Sequence, residues 1–106
     1  MGWIDRRLRQ HAHDVRVGAD GLAYAASLHG DLADLSDIAD VGYDLAEEIE
    51  LRMASSSEMN AWRRIARAAF TEWASRYPGE VGAYADSLAD RSDVKLVRSM
   101  VPRSLR

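Results

Sequence analysis

Residues 55–77, SSSEMNAWRRIARAAFTEWASRY, decide the fold class. Ser55 and Glu58 stand at the spacing of a capping box, in which the serine hydroxyl accepts from the third helical N–H and the glutamate reaches back. Beyond them Met59, Trp62, Ile65, Ala66, Ala69, Phe70, Trp73 and Tyr77 recur every three or four residues, the period of one helix face. Pro78-Gly79 ends the run. Rings at this spacing could stack bases or line a ligand pocket, but aromatic side chains dominate cores by area, so the stripe is read as core.

Working outward, the stretch from Asp31 or Ser36 to about Met53 carries Leu35, Ile38, Leu45, Ala46, Ile49 and Met53 on one side. Gly42 shares that side and would admit a close neighbour, at a propensity cost of about 1 kcal/mol. Ser36 is the expected N-cap, with Asp37 in the first turn. The connection at 54–57 is so short that helices 36–53 and 56–77 are predicted to form a central antiparallel hairpin. Upstream, Ile4, Leu8, Ala12 and Val15 predict a helix over 2–17 that stops at Gly18. A second short helix over 19–29, after an Asp20-Gly21 turn, carries Leu22, Ala25, Ala26 and Leu28 and ends at Gly30. Downstream, Val81, Tyr84, Ala85 and Leu88 mark a helix over 80–90. Ser92 is the expected cap of a last short segment ending before Pro102. That segment contains VKLVRSMV (94–101), which also reads as a strand; no other segment alternates to pair with it, so helix is preferred. The tail 102–106 is expected to be loose. AYAASL (23–28) and AYADSL (83–88) resemble each other, but their flanks do not align, so both are read as small-residue helix faces rather than as a duplication. The expectation is an all-α, single-domain bundle of four to six helices over residues 1–106.

Composition narrows the chemistry. The chain has 106 residues and no cysteine, which excludes a disulfide framework and thiolate metal sites. No run approaches the roughly 18 apolar residues of a membrane span. The start, MGWIDRRLRQ, has no apolar signal core, so the expected location is cytoplasmic and away from membranes. A chain of this size is expected to bury a core without a roomy cleft. Thirteen of the 14 basic residues are arginine, Lys95 being the exception, and 17 residues are alanine, a usage that suits a GC-rich bacterial or phage genome.

His11 and His13 point about 200° apart on a helix, whereas His11 and Asp14 share a face. Two ligands fall short of the three or four that zinc takes, so no metal is expected. No serine sits in a nucleophile elbow, no glycine-rich phosphate loop is present, and the carboxylates lie on a wet face where nothing raises their pKa. The protein is therefore expected to be neither an enzyme nor a cofactor binder.

Charge segregation is the most informative feature. Residues 17–51 hold nine acids and no lysine or arginine, whereas residues 1–16 sum to +2 and residues 52–106 to +4. On a helix Asp37, Asp40, Asp44, Glu47 and Glu48 gather within about 100° of arc, opposite the apolar stripe. They form either a solvated face partly neutralised by arginines of flanking helices or a recognition surface for a basic partner. Arg63, Arg64 and Arg67 make a basic strip on the tryptophan helix, expected to pair with the acidic helix or with solvent and able to contact phosphate. Trp3 is a candidate apolar anchor.

The leading expectation is a non-enzymatic module that presents Asp37, Asp40, Asp44, Glu47 and Glu48 to a basic protein. One concrete form is a phage or mobile-element accessory or inhibitor protein acting on a nucleic-acid-handling complex. The alternatives are a small nucleic-acid binder using Arg63, Arg64 and Arg67, and a structural homo-oligomer joined through Ala/Gly-rich faces.

Overall fold

The computed structural model describes residues 2–101, with the side chains of residues 2–5 and 96 excepted. The side chains of Trp3 and Ile4 and the tail 102–106 therefore lie outside the described residues. Among the described residues five α-helices follow one another: α1 (Gly2–Leu28), α2 (Leu35–Glu50), α3 (Ser56–Arg76), α4 (Pro78–Leu88) and α5 (Lys95–Met100). Single 3-10 turns at Gly30–Leu32 and Ser92–Val94 introduce α2 and α5. Among the described residues there is no strand, so the fold is all-α and 94–101 is not a strand.

The two expected N-terminal helices are one. α1 runs unbroken through Gly18 and Gly21 for 27 residues. A Cβ on Gly18 would stand 3.3 Å from both Met100 and Val97, and one on Gly21 would meet the Tyr84 ring at 2.6 Å. Tyr84 fastens this contact by donating to the Val17 carbonyl at 3.2 Å. The glycines are thus seats for neighbouring side chains, and packing on them outweighs a propensity loss of about 1 kcal/mol each. Ala12, Val15, Ala19, Leu22 and Ala25 form the buried face of α1.

The close helix pair is α1 with α2, antiparallel, and not the expected pair of α2 with α3. Arg16 meets Glu50 at one end and Asp20 meets Tyr43 farther along. Residue size explains the exchange: α1 and α2 face each other through Ala19, Ala39, Gly42 and Ala46, and a Cβ on Gly42 would come within 3.1 Å of the Ala19 Cβ. α3 presents Trp62, Phe70 and Trp73, whose bulk holds its backbone farther off. Its direct tie to α2 is the Trp62 indole donating to the Ile38 carbonyl at 3.0 Å. A short connection brings two helix ends together; it does not choose which helices lie side by side.

Caps and ends show where local reading holds. The Ser55 hydroxyl accepts from the Glu58 N–H at 3.2 Å, the serine half of a capping box. Ser36 is not the cap of α2. The preceding 3-10 turn leads straight into the helix, Ser36 and Asp37 N–H groups bond to the Ala33 and Asp34 carbonyls, and the Ser36 hydroxyl donates to Ala33. α2 ends in a Schellman turn: Arg52 at φ 60° sends its N–H to Ile49 O (3.0 Å), and Met53 N–H reaches Glu48 O (2.8 Å). Met53, counted on the apolar side, lies past that turn and is 70 % exposed. Ile65, 50 % exposed, sits on the shoulder of the buried arc formed by Trp62, Ala66, Ala69, Phe70 and Trp73. Pro78 ends α3 and opens α4, where its missing N–H costs nothing.

Nor does Ser92 cap the last helix. The Asp14 carboxylate, 7 % exposed, crosses from α1 and accepts from the Val97 N–H at 3.0 Å. The buried side chains of all five helices and both turns join into one hydrophobic cluster. Phe70, Trp73 and Tyr84 meet at its α3–α4 end, with centroid separations of 5.6–6.2 Å.

Candidate functional site

α2 buries Leu35, Ala39, Gly42, Leu45, Ala46 and Ile49, and so turns its opposite side to water. Asp37, Asp40, Asp44 and Glu47 are exposed there and Glu48 is half-buried. From Asp37 to Glu48 the line of charge runs about 16 Å at 1.5 Å per residue. Val41, 55 % exposed, borders this arc, about 20° beyond Glu48.

The arginines do not neutralise this face. Arg16 pairs with Glu50, and Arg76 bridges Asp31 (3.0 Å) and Glu72 (3.2 Å). Among the described residues, none of the five carboxylates lies within ion-pair distance of a basic side chain. Tyr43, on the shoulder, donates to Asp20; burial and then this bond, together with the charges of Asp20 and Asp40, push its phenol up to about 12.

The basic strip turns away from α2. Arg63 donates to the Ser99 hydroxyl at 3.2 Å and Arg67 to the Ser99 carbonyl at 3.4 Å, both on α5. Arg64 is exposed, with no carboxylate in ion-pair reach among the described residues. Asn60, Arg63, Arg64 and Arg67 line a shallow groove of about 360 Å³.

Beside it opens a cleft of about 440 Å³, walled by Gln10 and His11 of α1, Met59, Asn60 and Arg63 of α3, and Lys95 of α5. This overturns the expectation that the chain has no room for one. α5 spans only six residues, so it covers the α1–α3 junction with Val97 and Met100 and leaves the neighbouring flank open. Asn60, Gln10 and Lys95 escaped the sequence reading because they come from three distant segments. The one compositional mark was Lys95, the single lysine.

The histidines have separate settings. His11 is exposed at the cleft, and His13 meets Asp93 at 3.0 Å. His29 stacks on Tyr77 (3.5 Å between centroids, 7° between planes) and meets Glu80 at 2.8 Å. The Trp73 indole donates to that same carboxylate at 3.0 Å. The Trp73 bond first, and then His29, hold Glu80 below the usual carboxylate range. Among the described residues no three His, Asp or Glu side chains converge to hold a metal ion, and no helix is long and apolar enough to cross a membrane. Comparison with protein-family models, curated proteins and solved structures finds no significant match.

Proposed function

We propose that the protein is a non-enzymatic binding module that presents Asp37, Asp40, Asp44, Glu47 and Glu48 of α2 to a basic protein. The observation that carries this reading is selective pairing. Of the acids flanking the face, Asp31 and Glu50 have arginine partners and Asp34 does not, whereas none of these five has one among the described residues. Like charges three and four residues apart repel by a few tenths of a kcal/mol, so the face costs stability unless something outside the fold compensates. Val41 adds an exposed apolar side chain at the border of the charged face.

An accessory or inhibitory role for a phage or mobile element is the concrete form of this reading. Acids spaced every three or four residues over about 16 Å offer a basic nucleic-acid-handling protein a line of negative charge in place of a phosphate backbone. The alternatives have less behind them. Arg63 and Arg67 are engaged with Ser99, and the small-residue faces of α1 and α2 are used on each other.

The test compares wild type with the Asp44→Asn/Glu47→Gln/Glu48→Gln variant as bait in the source-cell extract at low and moderate salt. Both should melt alike or the variant slightly higher. A basic protein held by wild type, released by salt and lost from the variant is the expected result. Equal capture by both baits refutes the reading.

A further inference from the structure

The cleft among α1, α3 and α5 takes no part in the acidic-face reading. We propose that it binds a phosphorylated small molecule of about nucleotide size, its phosphate on Arg63, Arg64 and Lys95 and its organic part against Met59. Volume is the first support: about 440 Å³ falls within the range of small-ligand pockets. The cleft also adjoins the 360 Å³ arginine groove, Asn60 and Arg63 lining both. Side by side, the two hollows offer a mixed polar and apolar body and a cationic flank.

One donor there is unsatisfied. Arg63 Nε is buried and has no hydrogen-bond partner, although the same guanidinium reaches Ser99 through Nη2. A buried charged donor left without an acceptor is costly, and a guanidinium fork suits the oxygens of a phosphate. Neither Arg64 nor Lys95 has a carboxylate partner among the described residues. The acids that border the cleft are committed elsewhere: Asp14 accepts from the α5 backbone, and Asp93 is held by Arg91 (2.7 Å) and His13 (3.0 Å).

Cations along two adjoining hollows, with Arg63 common to both, favour a doubly charged phosphate over a single carboxylate. Their extent favours a small molecule over a nucleic-acid strand. Arg63 to Arg67 covers about 6 Å of helix axis, enough for one or two phosphate groups. The chain as a whole carries −3, which discourages a longer polyanion.

The experiment follows amide chemical shifts of the full chain by NMR during titration with AMP, ATP, inorganic phosphate and a short oligothymidylate. AMP and ATP should shift amides around 59–67 and 92–99 and saturate below about 1 mM. Inorganic phosphate should bind about tenfold more weakly, and added salt should weaken all binding. The Arg64→Gln/Lys95→Gln variant changes only exposed side chains, so its spectrum should stay folded while ATP affinity falls about tenfold. The proposal is overturned by no saturable shift with AMP or ATP, by ATP binding that the variant leaves unchanged, or by phosphate binding as tightly as ATP. Binding of the oligothymidylate alone also overturns it, in favour of a nucleic-acid strand.

Discussion

Gly42→Ala should destabilise the protein, against the helix-propensity scale. Alanine in a helix interior is favoured over glycine by about 1 kcal/mol, so propensity alone forecasts a gain. Here the new Cβ would stand 2.6 Å from Trp62 Cζ2 and 2.9 Å from Cε2, well inside the roughly 3.5–4.0 Å of a relaxed carbon pair. Trp62 has little room to retreat: it is 2 % exposed, its indole is tied to Ile38 O, and its far edge lies over Gly18. Overpacking of this kind costs about 1–3 kcal/mol, and disturbing the indole bond adds about 1. Subtracting the propensity gain leaves a loss of about 1–3 kcal/mol.

Gly82→Ala is the control. Gly82 lies inside α4 with nothing within 4 Å of its absent Cβ, so alanine should stabilise by about 1 kcal/mol. Urea denaturation, with m unchanged, should place the two variants on opposite sides of wild type. In a Trp62→Leu background the penalty of Gly42→Ala should shrink, and that coupling identifies the indole as its source. A Gly42→Ala protein as stable as wild type would refute the reasoning that Trp62 is seated on this glycine.

Asp14→Ala should cost about 1–3 kcal/mol by leaving the Val97 N–H without its acceptor. Hydrogen exchange at Val97 should accelerate, and unchanged protection there would contradict the cap. Acid should destabilise through three carboxylates held low in the fold: Asp31 by Arg76, Glu80 by Trp73 and then His29, and Asp93 by Arg91 and then His13. Because these values are depressed, their contribution is present above the ordinary values, 4.5 for Glu80 and 3.8 for the two aspartates, and is lost as pH falls through the folded ones. The melting temperature should therefore fall below about pH 4.5, and Glu80→Gln should flatten the first part of that fall.

The acidic face was legible in the sequence as a charge pattern with helical period, and the Arg63–Arg67 strip likewise. Their partners were not. Arg16 and Arg76 reach Glu50 and Asp31, on either side of the acidic face, rather than the face itself, and the strip bends onto Ser99 rather than toward α2. Each pairing joins residues more than thirty positions apart, and no local rule relates such positions. The cleft was hidden for the same reason, since Gln10, Asn60 and Lys95 meet only after α5 has docked.

By itself the sequence determined helix type, the stripe of α3, the Ser55 cap, the stops at Gly30 and Pro78, and the acid arc of α2. All of these follow from interactions within about one helical turn, where residue chemistry and the 3.6-residue period suffice. Only the tertiary structure decided that α1 passes through Gly18 and Gly21, that α2 packs more closely on α1 than on α3, and that Asp14 caps a helix 83 residues away. A glycine's preference to end a helix is worth about 1 kcal/mol, whereas seating a buried ring or aliphatic side chain on it is worth more. At such positions the long-range contact prevails over the local signal.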